Sequence, residues 1–285
     1  MRYLRAAIDF LLYADIWLAA GALALAAQTQ WLLSGAIQPT PLLGFIFWSA
    51  LALYTLHRLV GLGRLGTFPP PGRYQHIARF RRLVLVLMPI AALLAAGWFY
   101  YLPFALKRAA IMPALIALAY VAPLWRGRRL RDLPYLKIFL IGIAWSWITV
   151  YLPALELGLG NNIPMWLMAL ERFLFIFALT LPFDIRDLEI DRQDGVKTLA
   201  AWLGLRRAKG LALACLAAML VLAALNHHVD VYSTAHFAAL ALSALATGGL
   251  IARAGPQRSD CYYMFALDGM MVLQFAFLWL LPQFF

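Results

Sequence analysis

Long apolar stretches separated by short polar segments make up most of the chain, and they determine its predicted elements. Each of nine stretches is long enough to cross a bilayer core of about 30 Å once helix tilt is allowed. The stretches cover residues 10–34, 41–57, 83–102, 109–125, 135–154, 164–183, 209–226, 234–252 and 264–283. The pattern therefore predicts nine transmembrane helices.

The composition agrees with this pattern. Hydrophobic residues make up 64% of the 285 residues and charged residues 13%. Such a chain is typical of an all-α membrane protein and excludes a soluble globule. No polar segment between the stretches is long enough for a soluble domain, so residues 1–285 are expected to form a single transmembrane domain. Cys215 and Cys261 match neither a metal-site spacing nor a disulfide framework.

Basic residues indicate the orientation of the helices. Lys137 and Arg172 lie inside apolar stretches, Lys107 and Arg108 lie on one side, and the other twenty of the 24 Lys and Arg residues lie on the opposite side. Those twenty fall in the N-terminal segment and in the loops 58–82, 126–134, 184–209 and 253–263. By the positive-inside rule, the N-terminus and these loops are predicted to be cytoplasmic, in the inner membrane of the cell. The net charge of +11 thus reports topology rather than nucleic-acid binding.

A dense acidic motif follows the sixth stretch. Residues 184–195 hold five of the thirteen acidic residues. On a helix, Asp184, Asp187 and Asp191 are spaced i, i+3 and i+7, so they are expected to project from one face. Carboxylates this close repel one another, and a bound divalent cation relieves the repulsion. Oxygen ligands favour Mg²⁺, which commonly also binds a substrate phosphate. The alternative is a solvated acidic helix start neutralised by neighbouring arginines.

Further ionisable residues fall within the predicted helices at the same depth. Asp15 is expected one turn or more into helix one, Lys137 near the start of helix five, and Asp268 near the start of helix nine. Ionisable groups at such depth are functional candidates. Lys137 and Arg58 are expected to face phosphate, with Asp15 or Asp268 orienting them or acting as a base toward an acceptor. The alternative is that both aspartates pair with basic neighbours for structural reasons.

The run from Asp184 to Gly204 resembles the second aspartate-rich motif of the UbiA-type intramembrane prenyltransferases, the family of hydroxybenzoate polyprenyltransferase. The resemblance implies a nine-helix bundle with a cavity facing the cytoplasm. It also implies that Asp184, Asp187 and Asp191 bind Mg²⁺ held on an isoprenyl diphosphate, whose isoprenyl group passes to an acceptor.

The first motif of that family, an asparagine followed by aspartates at the end of helix two, is missing. The corresponding stretch at 53–62 has no acidic residue, and none occurs between Asp15 and Asp132. His57 and Arg58 are therefore predicted to replace it with direct contacts to the diphosphate, because a guanidinium matches phosphate oxygens bidentately. They alternatively mark a helix end at the membrane interface.

The predicted site therefore combines the metal motif with a set of basic and acidic groups around the substrate. Catalytic roles fall to Arg58, Lys137 and Asp187. Substrate binding is assigned to His57, Arg58, Lys137, Arg192, Lys197, Asp15 and Asp268. The loops at 58–82 and 184–209 are expected to cover the cavity and keep water from a carbocation.

Other readings stay open. The same ionisation without an acceptor describes a terpene cyclase, and the missing first motif favours a non-catalytic relative that binds an isoprenoid or another membrane lipid. A transporter is disfavoured because the charges gather at one face. The cluster His227, His228, Asp230 and His236 fits a polar loop better than a zinc site. Glu171 and Arg172, about 100° apart on a helix, are expected to face different partners.

The many aromatic residues have two interpretations. They either line a tunnel for an isoprenoid or face lipid and the membrane interfaces. The residues concerned are Trp145, Trp147, Phe173, Phe175, Phe177, Phe183, Tyr100 and Tyr101.

Overall fold

A computed structural model describes residues 9–64, 80–121, 130, 133–193 and 196–284. Within these ranges all regular structure is helical. The α-helices are α1 Ile16–Ser34, α2 Pro41–Arg64, α3 Arg81–Tyr100, α4 Phe104–Ala109, α5 Ile111–Val121, α6 Leu136–Ser146, α7 Leu152–Glu156, α8 Ile163–Arg186, α9 Leu188–Gln193, α10 Leu199–Leu203, α11 Leu205–His228, α12 Thr234–Arg253 and α13 Asp268–Leu280. π-Helical turns occur at Trp147–Tyr151 and Tyr262–Leu267, and Leu281–Phe284 is a 3₁₀ turn.

Nine segments of the described chain are long and apolar enough to cross a membrane, so the predicted number is confirmed. Six of them are single helices, namely α1, α2, α3, α8, α11 and α12. The other three are composite: α4 with α5, α6 with its π-turn and α7, and the second π-turn with α13 and the final 3₁₀ turn. The chain is a multi-pass integral membrane protein.

The fourth span differs from its predicted position at 109–125. It begins at Phe104, directly after Pro103, and α5 ends at Val121. The apolar pattern missed α4 because Lys107 and Arg108 lie in its last turn. Lys107 Nζ donates a hydrogen bond to the Tyr100 carbonyl at 2.8 Å, which holds the charge at the end of α3. Residues 122–125 lie outside the described ranges.

Helices α1 and α8 form the centre of the bundle. α1 packs against α2, α13 and the π-turn after α6, and α8 packs against α6 and α11. Even the polar run Gln28, Thr29 and Gln30 of α1 is buried. Residues of α8 are buried at both of its ends, from Met165 to Ile185. The segment with Asp15, which precedes α1, and the start of the acidic motif, at the end of α8, are therefore both attached to the centre of the bundle.

The first helix is interrupted near its start, because residues 9–13 are helical but residues 14–15 form a turn. Asp15 was expected inside it, but Asp15 adopts a left-handed backbone conformation with φ 60°, and α1 starts at Ile16. Aspartate tolerates this conformation better than most residues because its short polar side chain can bond locally. The break separates residues 9–13 from α1 and places the Asp15 carboxylate at the helix start rather than in the span.

Candidate active site

The acidic motif is not one helix. α8 ends at Arg186, and the short helix α9 begins at Leu188. The Asp187 N–H still bonds the Phe183 carbonyl at 3.0 Å, and the Asp191 N–H bonds the Asp187 carbonyl at 2.9 Å. The motif is therefore interrupted at the middle aspartate, where Asp187 has a non-helical backbone with φ −90° and ψ 5°.

Two of the three aspartates nevertheless meet at one cation. Lys137 Nζ lies 2.8 Å from Asp184 Oδ1 and 3.6 Å from Asp191 Oδ2. The Asp184 residue is 2% exposed and Asp191 5%. At such burial, two carboxylates that share one ammonium are strongly coupled to it electrostatically. Asp184 and Asp191 thus converge, as their spacing of seven residues was expected to allow, although one residue between α8 and α9 is not helical.

The segment after the motif helps to position Lys137. Tyr135, which precedes α6, adopts a left-handed conformation with φ 63°, and its N–H bonds the Lys197 carbonyl at 3.0 Å. Thr198 caps α10 by accepting a hydrogen bond from the Ala201 N–H at 3.2 Å. Trp202 of α10 is 69% exposed, and its ring contacts that of Tyr135. The motif segment is therefore attached directly to the start of α6.

The third aspartate pairs with its sequence neighbour Arg186. Asp187 accepts two hydrogen bonds from its neighbour, from Arg186 Nε at 2.8 Å and from Nη2 at 3.1 Å. The guanidinium lies over the Phe183 ring at 4.9 Å and the Tyr263 ring at 5.0 Å, an arrangement that stabilises the charge. Its third nitrogen, Nη1, is buried and has no hydrogen-bond partner among the described residues.

A second ion pair joins the start of α1 to α2. Arg58 donates through Nε to Asp15 Oδ2 at 2.9 Å and through Nη2 to Asp15 Oδ1, a bidentate contact. Asp15 is 4% exposed, and the Arg58 side chain is 14% exposed. Nearby, the Tyr13 hydroxyl donates to Asp260 Oδ2 at 3.5 Å. Burial, followed by the charge of Asp260, raises the pKa of Tyr13 to about 12, so the phenol stays protonated.

Asp268 lies near the Asp15–Arg58 pair and near Arg186. It begins α13 and is partly buried, within electrostatic range of Arg186, Asp15 and Arg58. The cations and carboxylates from α1, α2, α6, α8 and α13 therefore form one charged cluster at one end of the bundle. His57 precedes Arg58 on α2, and its ring lies 5.8 Å from that of Tyr120.

The remaining assigned residues are peripheral. Arg192 and Lys197 are exposed. The loop at 58–82 was expected to cover the site, but its residues 65–79 lie outside the described ranges. Of the aromatic residues, Phe175 is fully buried, whereas Tyr100 is 74% and Tyr101 70% exposed, which fits the interface alternative for that pair.

The donor set of the motif suits a hard cation, although it is not arranged as a finished site. Among the described residues, no group of three His, Cys, Asp or Glu side chains is placed to hold a metal ion. The buried oxygens of Asp184 and Asp191 already converge on a positive group, and carboxylates of this kind are Mg²⁺ ligands. For Asp187 to join them, its carboxylate has to leave Arg186.

The histidines of the polar loop have local roles. A His227 ring nitrogen lies 2.7 Å from the Tyr232 carbonyl, and His236 forms a capping box with Ser233 at the start of α12. These contacts agree with the loop interpretation rather than with zinc binding.

Sequence reasoning underestimated two contributors to the cluster. Arg186 was expected only to neutralise its neighbours, yet its guanidinium lies against the rings of Phe183 and Tyr263 and pairs with Asp187. Tyr263, which is fully buried, was not singled out. The signal available in the sequence was the aromatic doublet at 262–263 shortly before Asp268. That pattern alone does not say which residue an aromatic ring covers.

The amino-acid sequence matches the profile of a known family over most of its length. The profile of the UbiA prenyltransferase family matches residues 72–269. No curated protein sequence matches the chain significantly.

Solved structures share the fold. A UbiA homologue from Archaeoglobus fulgidus bound to GPP and Mg²⁺ has a TM-score of 0.67 at 14% identity, covering 96% of this chain and 99% of that one. The same protein bound to DMAPP and Mg²⁺ has a TM-score of 0.63 at 15% identity, covering 97% and 99%. An apo UbiA homologue from Aeropyrum pernix K1 has a TM-score of 0.58 at 14% identity, covering 97% and 96%. The chain belongs to the UbiA family of intramembrane prenyltransferases.

Proposed function

We propose that this protein transfers the isoprenyl group of an isoprenyl diphosphate to an acceptor, in a reaction that depends on Mg²⁺. The observation that carries the proposal is the buried contact of Lys137 with both Asp184 and Asp191. Opposite charges concentrated at one end of a membrane bundle are a typical binding site for a charged headgroup. The family match, and the solved homologues with GPP or DMAPP and Mg²⁺, support the same substrate class.

The acidic motif would hold the metal. Asp184 and Asp191 would bind Mg²⁺ on the side now facing Lys137, and Asp187 would join them after leaving Arg186. The metal, when bound, neutralises charge that develops on the departing diphosphate.

The basic residues would hold the diphosphate itself. Lys137 donates to phosphate oxygens from the start of α6, and Arg58, kept in position by Asp15, presents its guanidinium from α2. His57 would contact the diphosphate beside Arg58, and the exposed Arg192 and Lys197 would add positive charge nearby. In this way direct cationic contacts take the place of a first metal motif on α2, where residues 53–62 contain no carboxylate.

The reaction breaks the bond between the allylic carbon and the diphosphate oxygen, and the electron pair leaves with the diphosphate. An electron-rich atom of the acceptor supplies the pair for the new bond to the allylic carbon. The acceptor then gives up a proton, for which Asp268, at the edge of the cluster, is the proposed base. The distribution of basic residues supports a site on the cytoplasmic side of the inner membrane.

A non-catalytic carrier of an isoprenoid or other membrane lipid is the second candidate. It is favoured by one observation, the absence of acidic residues between Asp15 and Asp132. A carrier would bind the diphosphate at the same cluster without ionising it.

The test is diphosphate release. Purified protein in lipid nanodiscs is incubated with Mg²⁺ and isoprenyl diphosphates of increasing length, with and without a membrane lipid extract as acceptor source. The wild-type protein is expected to release diphosphate. The variants Asp191→Asn and Asp187→Ala are expected to release it at least tenfold more slowly. Glu189→Gln is the matched control, since Glu189 is an exposed acid on the same short helix.

Each outcome points to one function. Release that requires the extract supports a transferase, and release without it supports a cyclase. Binding without release under any condition supports the carrier. Absence of binding, or equal loss in the Glu189 control, would overturn the proposed site.

A further inference from the structure

A second polar cluster lies deep in the bundle, well away from the acidic motif. Its charged members are Glu171 and Arg172 on α8, which are 5% and 3% exposed. Arg172 precedes Asp184 by twelve residues, or about 18 Å along a helix. Charged groups at such depth need polar partners, because hydrocarbon provides none.

Most of these partners are in place. Glu171 accepts hydrogen bonds from Asn226 Nδ2 at 2.7 Å and from the Tyr232 hydroxyl at 3.1 Å. Arg172 Nη1 donates to the Leu25 carbonyl at 3.1 Å. Burial raises the pKa of Tyr232 well above its usual value, so its hydroxyl remains a donor. Glu171 and Arg172 thus have different partners, as expected from their angular separation.

Two amides of this cluster are not satisfied. Gln28 on α1 is 2% exposed and Gln274 on α13 is 1% exposed. Gln28 Oε1 and Gln274 Nε2 have no hydrogen-bond partner within the part of the chain that the structure describes. Both residues line a cavity of about 10 Å³ together with Glu171 and Arg172. The cavity therefore contains one hydrogen-bond acceptor and one hydrogen-bond donor that both need a partner.

We propose that this cavity binds one water molecule, which joins α1, α8 and α13. The water accepts a hydrogen bond from Gln274 Nε2 and donates one to Gln28 Oε1, leaving its second hydrogen for Glu171. A volume of this size accommodates about one water, and a buried water characteristically makes about three such bonds. If either amide is rotated by 180°, water still satisfies it, since water both donates and accepts.

The cavity chemistry argues against other ligands. An organic molecule exceeds the volume, and the guanidinium of Arg172 already supplies the positive charge that a cation would bring to Glu171. Fully buried Phe175 and nearly buried Leu179 lie between this cluster and Asp184 on the same helix. The water site is therefore separate from the proposed reaction and does not depend on it.

Stability measurements distinguish a bridging water from two unsatisfied amides. Gln28→Met and Gln274→Met remove one amide each while preserving side-chain length. With a shared water, each single variant lowers the thermal unfolding midpoint in nanodiscs by about 2 to 4 °C. The midpoint of the double variant then falls by less than the sum of the two single decreases, because the second substitution removes an amide whose bridging partner is already lost. Gln283→Met is the control, since Gln283 is exposed near the end of the chain.

Two results would overturn the proposal. The first is that each single variant raises the midpoint and the double variant raises it by the sum. The amides are then unsatisfied in a dry cavity, because removing such a group relieves its desolvation penalty. If a density map that resolves other buried waters shows none within hydrogen-bond distance of both amides, the site is dry as well. A density peak in contact with both amides supports the inference directly.

Discussion

Lys137 Nζ lies between two carboxylates that are seven positions apart in sequence, 2.8 Å from Asp184 Oδ1 and 3.6 Å from Asp191 Oδ2. The side chains of the three residues are 14%, 3% and 7% exposed. The two carboxylates repel one another, and the ammonium close to both offsets that repulsion. The same position is where a Mg²⁺ ion is proposed to act, so Lys137 links stability and function.

Lys137→Met is therefore expected to destabilise the protein. Removing one member of a buried charged group leaves the others uncompensated, a loss on the order of 3 to 5 kcal/mol. Thermal unfolding of the purified protein measures the loss. Added Mg²⁺ is expected to restore part of it, because a dication replaces the missing charge between Asp184 and Asp191.

The control for this prediction is Lys209→Met. Lys209 donates one hydrogen bond, to the Ala252 carbonyl at 3.0 Å. Its replacement is expected to change stability by less than 1 kcal/mol, with no effect of Mg²⁺. If Lys137→Met behaves like this control, the ammonium does not hold the two carboxylates together.

Arg186→Gln is expected to strengthen Mg²⁺ binding. The guanidinium now holds both oxygens of Asp187, at 2.8 and 3.1 Å, and so competes with a metal for that carboxylate. Without the arginine, Asp187 can turn toward the other two aspartates at lower cost. The Mg²⁺ concentration that half-saturates the rise in unfolding temperature is expected to fall several-fold.

Two comparisons make the result specific. Arg192→Gln removes an exposed arginine from the same segment and is expected to change the Mg²⁺ midpoint less. The double variant Arg186→Gln with Asp187→Asn is expected to bind Mg²⁺ no more tightly than the wild-type protein. An unchanged midpoint for Arg186→Gln would show that Asp187 takes no part in metal binding.

Asp15 and Arg58 are expected to be energetically coupled. Their bidentate contact joins the start of α1 to α2, and hydrogen bonds between charged groups contribute about 1.5 to 3 kcal/mol. A double-mutant cycle with Asp15→Asn and Arg58→Met isolates this coupling, with a measured value of about 1 to 3 kcal/mol expected. Asparagine is chosen because it tolerates the left-handed backbone at position 15. Additive effects would show that the pair is dispensable.

The number of spans and their approximate positions could be predicted from sequence. The length of each apolar stretch fixes how often the chain crosses, and this information is local. The exception was α4, where Lys107 and Arg108 hide a helix that starts at Phe104, five residues before the predicted start of the span at 109. In that case a charged pair at the interface belongs to the span, although hydropathy assigns it to a loop.

The charged cluster was predictable in its membership but not in its pairing. The sequence pointed to Asp184, Asp191 and Lys137, because ionisable residues in apolar surroundings are conspicuous. It could not show that α8 ends at Arg186, since the motif contains neither Gly nor Pro before residue 195. Nor could it show that Asp187 would pair with its own neighbour. These features depend on tertiary contacts, such as the ring of Tyr263 over Arg186.

Gly44→Ala is expected to disturb the contact between α2 and α3. A Cβ at position 44 would lie 2.7 Å from ring atoms of Trp98, closer than carbon atoms approach without a shift. Small residues at such interfaces let helix backbones approach, and overpacking costs about 1 to 3 kcal/mol. Gly97→Ala, next to Trp98 on α3, is the matched control, because its Cβ would have no neighbour within 4 Å. The control is expected to be neutral or to stabilise by about 0.5 to 1 kcal/mol, as helix propensity alone predicts. Unfolding midpoints of the two variants in the same detergent measure the difference, and equal values would mean that Trp98 does not pack on Gly44.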